Sequence, residues 1–206
     1  MQRHPLRGLI TIFFSPAETF VRAERRPGLI PLIASMLLAL ALHVMIVEVT
    51  GPGGSTLDRI ARPAAGVPLT VCVLACVAYG LLRATGGVTT FAAVLGAFAW
   101  STYVVMVVTF IGSAIYLTVV KDFSGVQPHD MQMLNASIFF DRVTTPGWLR
   151  SVAASVDLVT YWSLFLQVTG LRRLSAQVSM VQAASVVIIL YFVGVLIRAA
   201  AAMMVG

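Results

Sequence analysis

The chain has 206 residues, 59% of them hydrophobic and 11% charged, with a net charge of +6. Soluble domains carry about 25% charged residues, so water is excluded as the main solvent, and an all-α polytopic membrane bundle in one domain is the expected class. The basic excess does not indicate nucleic acid, because the arginines stand singly or in pairs at the ends of apolar runs, where topology signals and headgroup contacts sit.

Residues 1–27 precede the first span. Arg3 and Arg7 are followed by an apolar run, Leu9 to Phe14, that Pro16 breaks with no small-residue cleavage site before Arg22, so a cleaved leader is not expected. Ser15-Pro16-Ala17-Glu18 reads as a helix start, with Ser15 as N-cap, Pro16 at the first helical position and Glu18 closing a capping box. Glu18 and Arg22 are spaced for an i,i+4 pair. Together with Leu6, Leu9, Ile10, Phe13, Phe14, Phe20 and Val21, this predicts an amphipathic segment lying at the cytoplasmic interface.

Five spans follow, at about 28–49, 66–83, 88–120, 148–170 and 178–205, each long enough for a hydrocarbon core of about 30 Å. Pro31 falls in the first turn of the first span, where proline is tolerated. Ser55 to Ala65 reads as a loop and Thr85-Gly86-Gly87 as a tight turn. Val88 to Val120 is about 50 Å long as a helix, which suits one long or tilted helix, kinked near Gly112, rather than two crossings. Cys72, Cys76 and Gly80 form an i,i+4,i+8 small-residue ridge, and Ala92 with Gly96, then Ala93, Ala97 and Ser101, form others; such ridges let helices approach closely. Trp100 and Tyr103 read as packing residues. The outer loop, 121–147, keeps enough apolar residues, from Met131 to Phe140, to predict a short helix or re-entrant turn. The two cysteines lie inside an apolar run and read as small packing residues, not as a disulfide framework.

Arginine placement sets the orientation. With the N-terminus in the cytoplasm, Arg3, Arg7, Arg22, Arg25, Arg26, Arg83, Arg172 and Arg173 lie inside, against Arg59, Arg62, Lys121, Arg142 and Arg150 outside. A multi-pass protein of the cell inner membrane with its C-terminus outside is expected.

No soluble-enzyme motif is present: there is no P-loop, H-E-x-x-H, G-x-S-x-G or C-x-x-C. No cofactor or metal is expected. Intramembrane ionisable residues are functional suspects, and here they are His43, Asp157 and Arg198, with Glu48 at an edge. A rise of about 1.5 Å per residue predicts two polar layers, His43 with Asp157 and Glu48 with Arg198. Such layers serve a proton or ion relay in one reading. In the other they are structural, with Arg198 snorkelling to outer headgroups. Tyr161, Gln167 and Gln182 are expected to hydrogen-bond between helices.

Four stretches resemble the Yip (Ypt/Rab-interacting) membrane protein family, in its bacterial branch. They are Phe14 to Phe20 with Arg26-Pro27, Gly86 to Phe91, Asp157 to Gly170, and the basic turn Leu171 to Ala183. The resemblance implies a five-helix bundle with a cytoplasmic N-terminus. Eukaryotic relatives bind small GTPases through cytosolic N-terminal parts, but this chain lacks their D-L-Y-G-P stretch and carries Trp100-Ser101-Thr102-Tyr103 in place of the glycine-tyrosine signature. GTPase binding is therefore not carried over. The expected role is a non-enzymatic scaffold or adaptor for membrane lipids or protein partners, including a second copy of the chain. A small transporter or channel subunit is the alternative, and an intramembrane hydrolase a third reading for which no nucleophile–base pair is visible.

Overall fold

Without water to satisfy them, backbone N–H and C=O groups in a bilayer must pair within the segment, so apolar runs of this length become helices. The structure, a computed structural model, describes residues 7–23, 28–50, 56–119, 136–141, 144–175 and 177–205, and among these it is helical with no strand. The helices are α1 (Arg7–Phe14), α2 (Pro16–Ala23), α3 (Leu29–Thr50), α4 (Thr56–Ala84), α5 (Phe91–Val119), α6 (Gly147–Ala154), α7 (Leu158–Leu174) and α8 (Met180–Val205), with a short 3-10 turn at Ala136–Phe139. Three of them, α4 from Ala65, α5 and α8, are long and apolar enough to cross a membrane, and Leu29–Met45 of α3 is a shorter apolar helix. The chain is thus a helical membrane bundle.

Helix α5 is the hub. It packs against α3, α4 and α7, while α8 packs against α4, α6 and α7. One core cluster joins Val71, Ala75, Ala78 and Leu82 of α4 to Val94, Ala97 and Phe98 of α5, Leu171 of α7 and Val186 and Val187 of α8. Lipid tails are as apolar as these side chains, so close packing rather than escape from water holds the helices together. Small residues make that packing possible. A Cβ on Gly28 would lie 3.4 Å from the Gly96 backbone nitrogen, so α3 enters the bundle against the glycine of α5.

Two elements differ from the sequence expectation, while α5 is the one long helix expected. Residues 56–65, expected as a loop, are the first turns of α4, because Leu57, Ile60, Arg59, Ala61 and Arg62 are adequate helix formers and continuing the helix satisfies their backbone groups. The fourth expected span, 148–170, is broken: α6 ends at Ala154, Ser155 and Val156 turn, and α7 starts after Asp157. Most of the outer loop, 121–135 with 142 and 143, lies outside the described residues.

Candidate functional site

Two turns meet at one end of the bundle. The first follows α4. Gly86 takes φ +82°, a conformation that glycine enters without steric cost. The Gly87 N–H donates to the Leu82 carbonyl at 2.8 Å and the Gly86 N–H to the Arg83 carbonyl at 3.1 Å, the bond pair of a Schellman helix end. The second turn lies between α7 and α8. Here Ser179 and Gln182 form a capping box: the Gln182 N–H donates to the Ser179 hydroxyl at 3.1 Å and the Ser179 N–H to Gln182 Oε1 at 3.0 Å. The Gln182 amide nitrogen then donates to the Thr85 carbonyl of the first turn at 2.8 Å.

Two further links join the turns. Val88 and Gln177 exchange backbone hydrogen bonds of 3.1 and 3.2 Å as an isolated antiparallel bridge. Beneath it, the Thr89 and Ser175 hydroxyls share a buried hydrogen bond of 2.7 Å. The turn end is therefore a clasp whose polar groups are matched across the two connections. Arg83, Arg172 and Arg173 stand exposed around it.

An N-terminal elbow docks on the same half of the bundle. Helices α1 and α2 meet at Ser15 and pack on each other, α1 also reaching α5 and α2 reaching α7. Ile12 and Phe20 are fully buried with Trp100, Val104 and Leu166. The predicted Glu18–Arg22 pair is formed at 3.0 Å. The capping box predicted at Ser15 is not, because the Ser15 N–H already donates to the Thr11 carbonyl at 2.7 Å as α1 runs into the corner, and Glu18 turns forward to Arg22. The Thr11 and Thr19 hydroxyls, one turn from the corner on each arm, join at 2.9 Å. Two glycines shape the dock. A Cβ on Gly170 would lie 2.8 Å from both the Ala97 Cβ and the Phe20 ring, and one on Gly8 would lie 2.9 Å from the Trp100 ring.

Of the expected polar layers, His43 and Asp157 share no hydrogen bond or ion pair among the described residues, and the Glu48 side chain of the other lies outside them. Asp157 caps α7, accepting from the Thr160 backbone N–H at 2.8 Å and from its hydroxyl. His43 is half-buried on α3, and its buried Nε2 has no hydrogen-bond partner. Arg198 is exposed on α8, its Nε 3.4 Å from the Gly194 carbonyl, while the Glu48 side chain lies outside the described residues. The far half of the bundle instead joins through Tyr191, whose hydroxyl donates to the Ser155 carbonyl at 2.9 Å in the break between α6 and α7. Its phenol lies within electrostatic reach of Asp157, Tyr161 and Arg198. Sequence reasoning missed Tyr191, because a lone tyrosine in an apolar span gives no sign of a carbonyl freed by a broken neighbour.

The small-residue ridges divide as well. Ala93, Gly96, Ala97 and Ser101 are buried, but Ala92 is exposed. Cys76 and Gly80 are exposed and Cys72 half-buried, and a Cβ on Gly80 would meet nothing within 4 Å. The α4 stripe thus faces out of the bundle, and Val71, Ala75, Ala78 and Leu82 form the inward face. Gln182 bonds across elements as expected, whereas Gln167 bonds within its own helix, to Ser163 at 3.2 Å.

The fold and this clasp define a multi-pass helical membrane protein. The Yip1 domain matches residues 10–201, nearly the whole chain. The chain belongs to the Yip1 domain family. No curated protein and no solved structure matches it. Parts of the four stretches meet in two pairs: Phe20 sits on Gly170, and Gly86 to Phe91 is bonded to the Ser175 to Gln182 turn.

Proposed function

We propose that the chain is a non-enzymatic scaffold or adaptor of the cell inner membrane, with the N-terminus and the clasp on the cytoplasmic side and the C-terminus outside. The observation that carries this is the clasp itself, a hydrogen-bonded platform built from the family stretches and ringed by exposed arginines. Arg7, Arg22, Arg83, Arg172 and Arg173 are exposed in this half, which suits a cytoplasmic side facing anionic headgroups or acidic protein surfaces. The polar groups of the clasp hold one another and leave the rim charges for partners. The outward Cys72–Cys76–Gly80 face of α4 suits close approach of a second copy or another membrane protein.

The test is photo-cross-linking in native membranes from positions 83, 172 and 173, with position 80 as reference. Defined adducts at the rim, lost when the neighbouring arginines are changed to glutamine, support an adaptor. Indistinguishable adduct patterns at the rim and at position 80 contradict it. Disulfide trapping through Cys76 tests the homo-oligomer.

One observation favours the second reading, a transporter or channel subunit. The α6–α7 break, with Asp157, Tyr161, Tyr191 and Arg198 near it, resembles the discontinuous helices that line transport sites. Solute or proton flux in proteoliposomes that Asp157→Asn abolishes would establish that reading over the adaptor.

A further inference from the structure

We infer that the α1–α2 elbow is a re-entrant wedge in the acyl region of one leaflet, its corner pointing toward the bilayer centre, rather than a helix lying flat at the interface. This goes beyond the adaptor reading and does not depend on it.

The argument starts from depth. The apolar stretches of α4, α5 and α8 end or begin together at the clasp, at Ala84, Phe91 and Met180, and the exposed Arg83, Arg172 and Arg173 mark the headgroup level there. Along α5 from that level, Ala97 lies about 9 Å in and Tyr103 about 18 Å in, at about 1.5 Å per residue. The Phe20 ring and Ala97 both close on the Gly170 position. Phe13, two residues before the corner, has its ring 6.3 Å from that of Tyr103. So α2 climbs from its Phe20 end toward the corner, and α1 returns. The climb of about 9 Å carries the corner to about the inner limit of one leaflet, whose hydrocarbon is about 15 Å thick.

The chemistry of the surface agrees. Beyond Arg7 at its start, helix α1 carries large apolar side chains on both faces: Ile12 is buried on the bundle side, while Ile10 is 68% and Phe14 83% exposed on the other. Large apolar side chains left exposed together mark a surface for an apolar medium. Arg7 shares the outer stripe of α1 with Ile10 and Phe14 and stands at its far end from the corner, and the exposed Glu18–Arg22 pair is on α2. Part of the corner's polar surface is also matched internally. The Ser15 N–H donates to the Thr11 carbonyl and the Ser15 carbonyl accepts from Thr19, the Thr11 and Thr19 hydroxyls are bonded, and Pro16 has no N–H. Internal pairing of this kind lowers the cost of placing backbone in lipid. The occupant of the Ile10–Phe14 face is therefore lipid acyl chain.

Spin labels at 10, 14 and 173 measure this in the full chain carrying Cys72→Ala and Cys76→Ala. The protein is reconstituted in phosphatidylglycerol–phosphatidylcholine vesicles, and collision is read with oxygen and with a water-soluble nickel chelate. All three labelled positions are exposed, so the labels do not disturb the core, and 173 marks the headgroup level. The expected result is a label at 14 several-fold more accessible to oxygen than to nickel, the label at 10 likewise but shallower, and the label at 173 the reverse. Equal depth at 10 and 14 indicates an interface-lying segment and overturns the wedge. Nickel access at 14 equal to that at 173 indicates a solvated elbow, and shielding of 14 from both reagents indicates a covering protein; either also overturns it.

Discussion

The two halves of the bundle solve the same problem differently. At the clasp, each turn satisfies the other: Gln182 caps its own helix and also holds Thr85, while Val88 pairs with Gln177 and Thr89 with Ser175. In the far half a helix is broken, and its loose carbonyl at Ser155 is taken by one tyrosine. Each of two buried ring nitrogens has no hydrogen-bond partner, Trp100 Nε1 in the elbow's core and His43 Nε2 on α3. The comparison teaches where the polar cross-links reside: the clasp joins its two turns by several linked hydrogen bonds, whereas at the break one side chain, Tyr191, reaches across from α8.

Substitutions can break or sharpen that contrast. The largest effect is expected at Phe20, fully buried where elbow meets bundle: Phe20→Ala should cost about 3–5 kcal/mol, as phenylalanine truncations in cores do. It should also uncover Trp100, so a thermal melt in nanodiscs and a red shift of tryptophan emission read it together. Gln182→Ala removes a capping-box partner and the cross-turn bond, for about 1–2 kcal/mol. Gln182→Glu keeps the acceptor for the Ser179 N–H and loses only the donor to Thr85, so its melting temperature should fall between those of Gln182→Ala and the native chain. In the far half, Asp157→Ala should cost about 1 kcal/mol as a lost N-cap, whereas Asp157→Asn, an equally good cap, should be near neutral. The smallest effect is expected on the outward face of α4, where Gly80→Ala should be neutral or stabilising by up to about 1 kcal/mol, because the added methyl meets nothing and alanine prefers helix. A clear loss there would move the α4 stripe back into a packing interface.

The helices themselves were legible because long apolar runs leave the backbone few alternatives, and α5 and α8 follow their runs closely. The break before α7 was not: Val156-Asp157-Leu158 sits inside an apolar stretch, and only the aspartate at a cap spacing from Thr160 hints that the helix restarts. The start of α4 was misread because Asp58, Arg59 and Arg62 look like a loop when charge alone is weighed. The tight turn at Thr85-Gly86-Gly87 was readable from local chemistry, as was the Glu18–Arg22 pair. The contact of Phe20 with Gly170 was not, since its partners are far apart in sequence and neither carries a mark of the other. The resemblance to a family located the right stretches, but only the fold shows that they touch.

The central claim is that the elbow is locked to the bundle by the fit of Phe20 over Gly170. A double-mutant cycle on unfolding stability in nanodiscs tests it directly. Gly170→Ala alone should destabilise by about 1–3 kcal/mol, as overpacking does, because its methyl collides with the Phe20 ring and the Ala97 methyl. In a Phe20→Ala background the ring is gone, and the same substitution should cost at least about 1 kcal/mol less, a coupling typical of residues in contact. Strict additivity of the two substitutions would contradict the account.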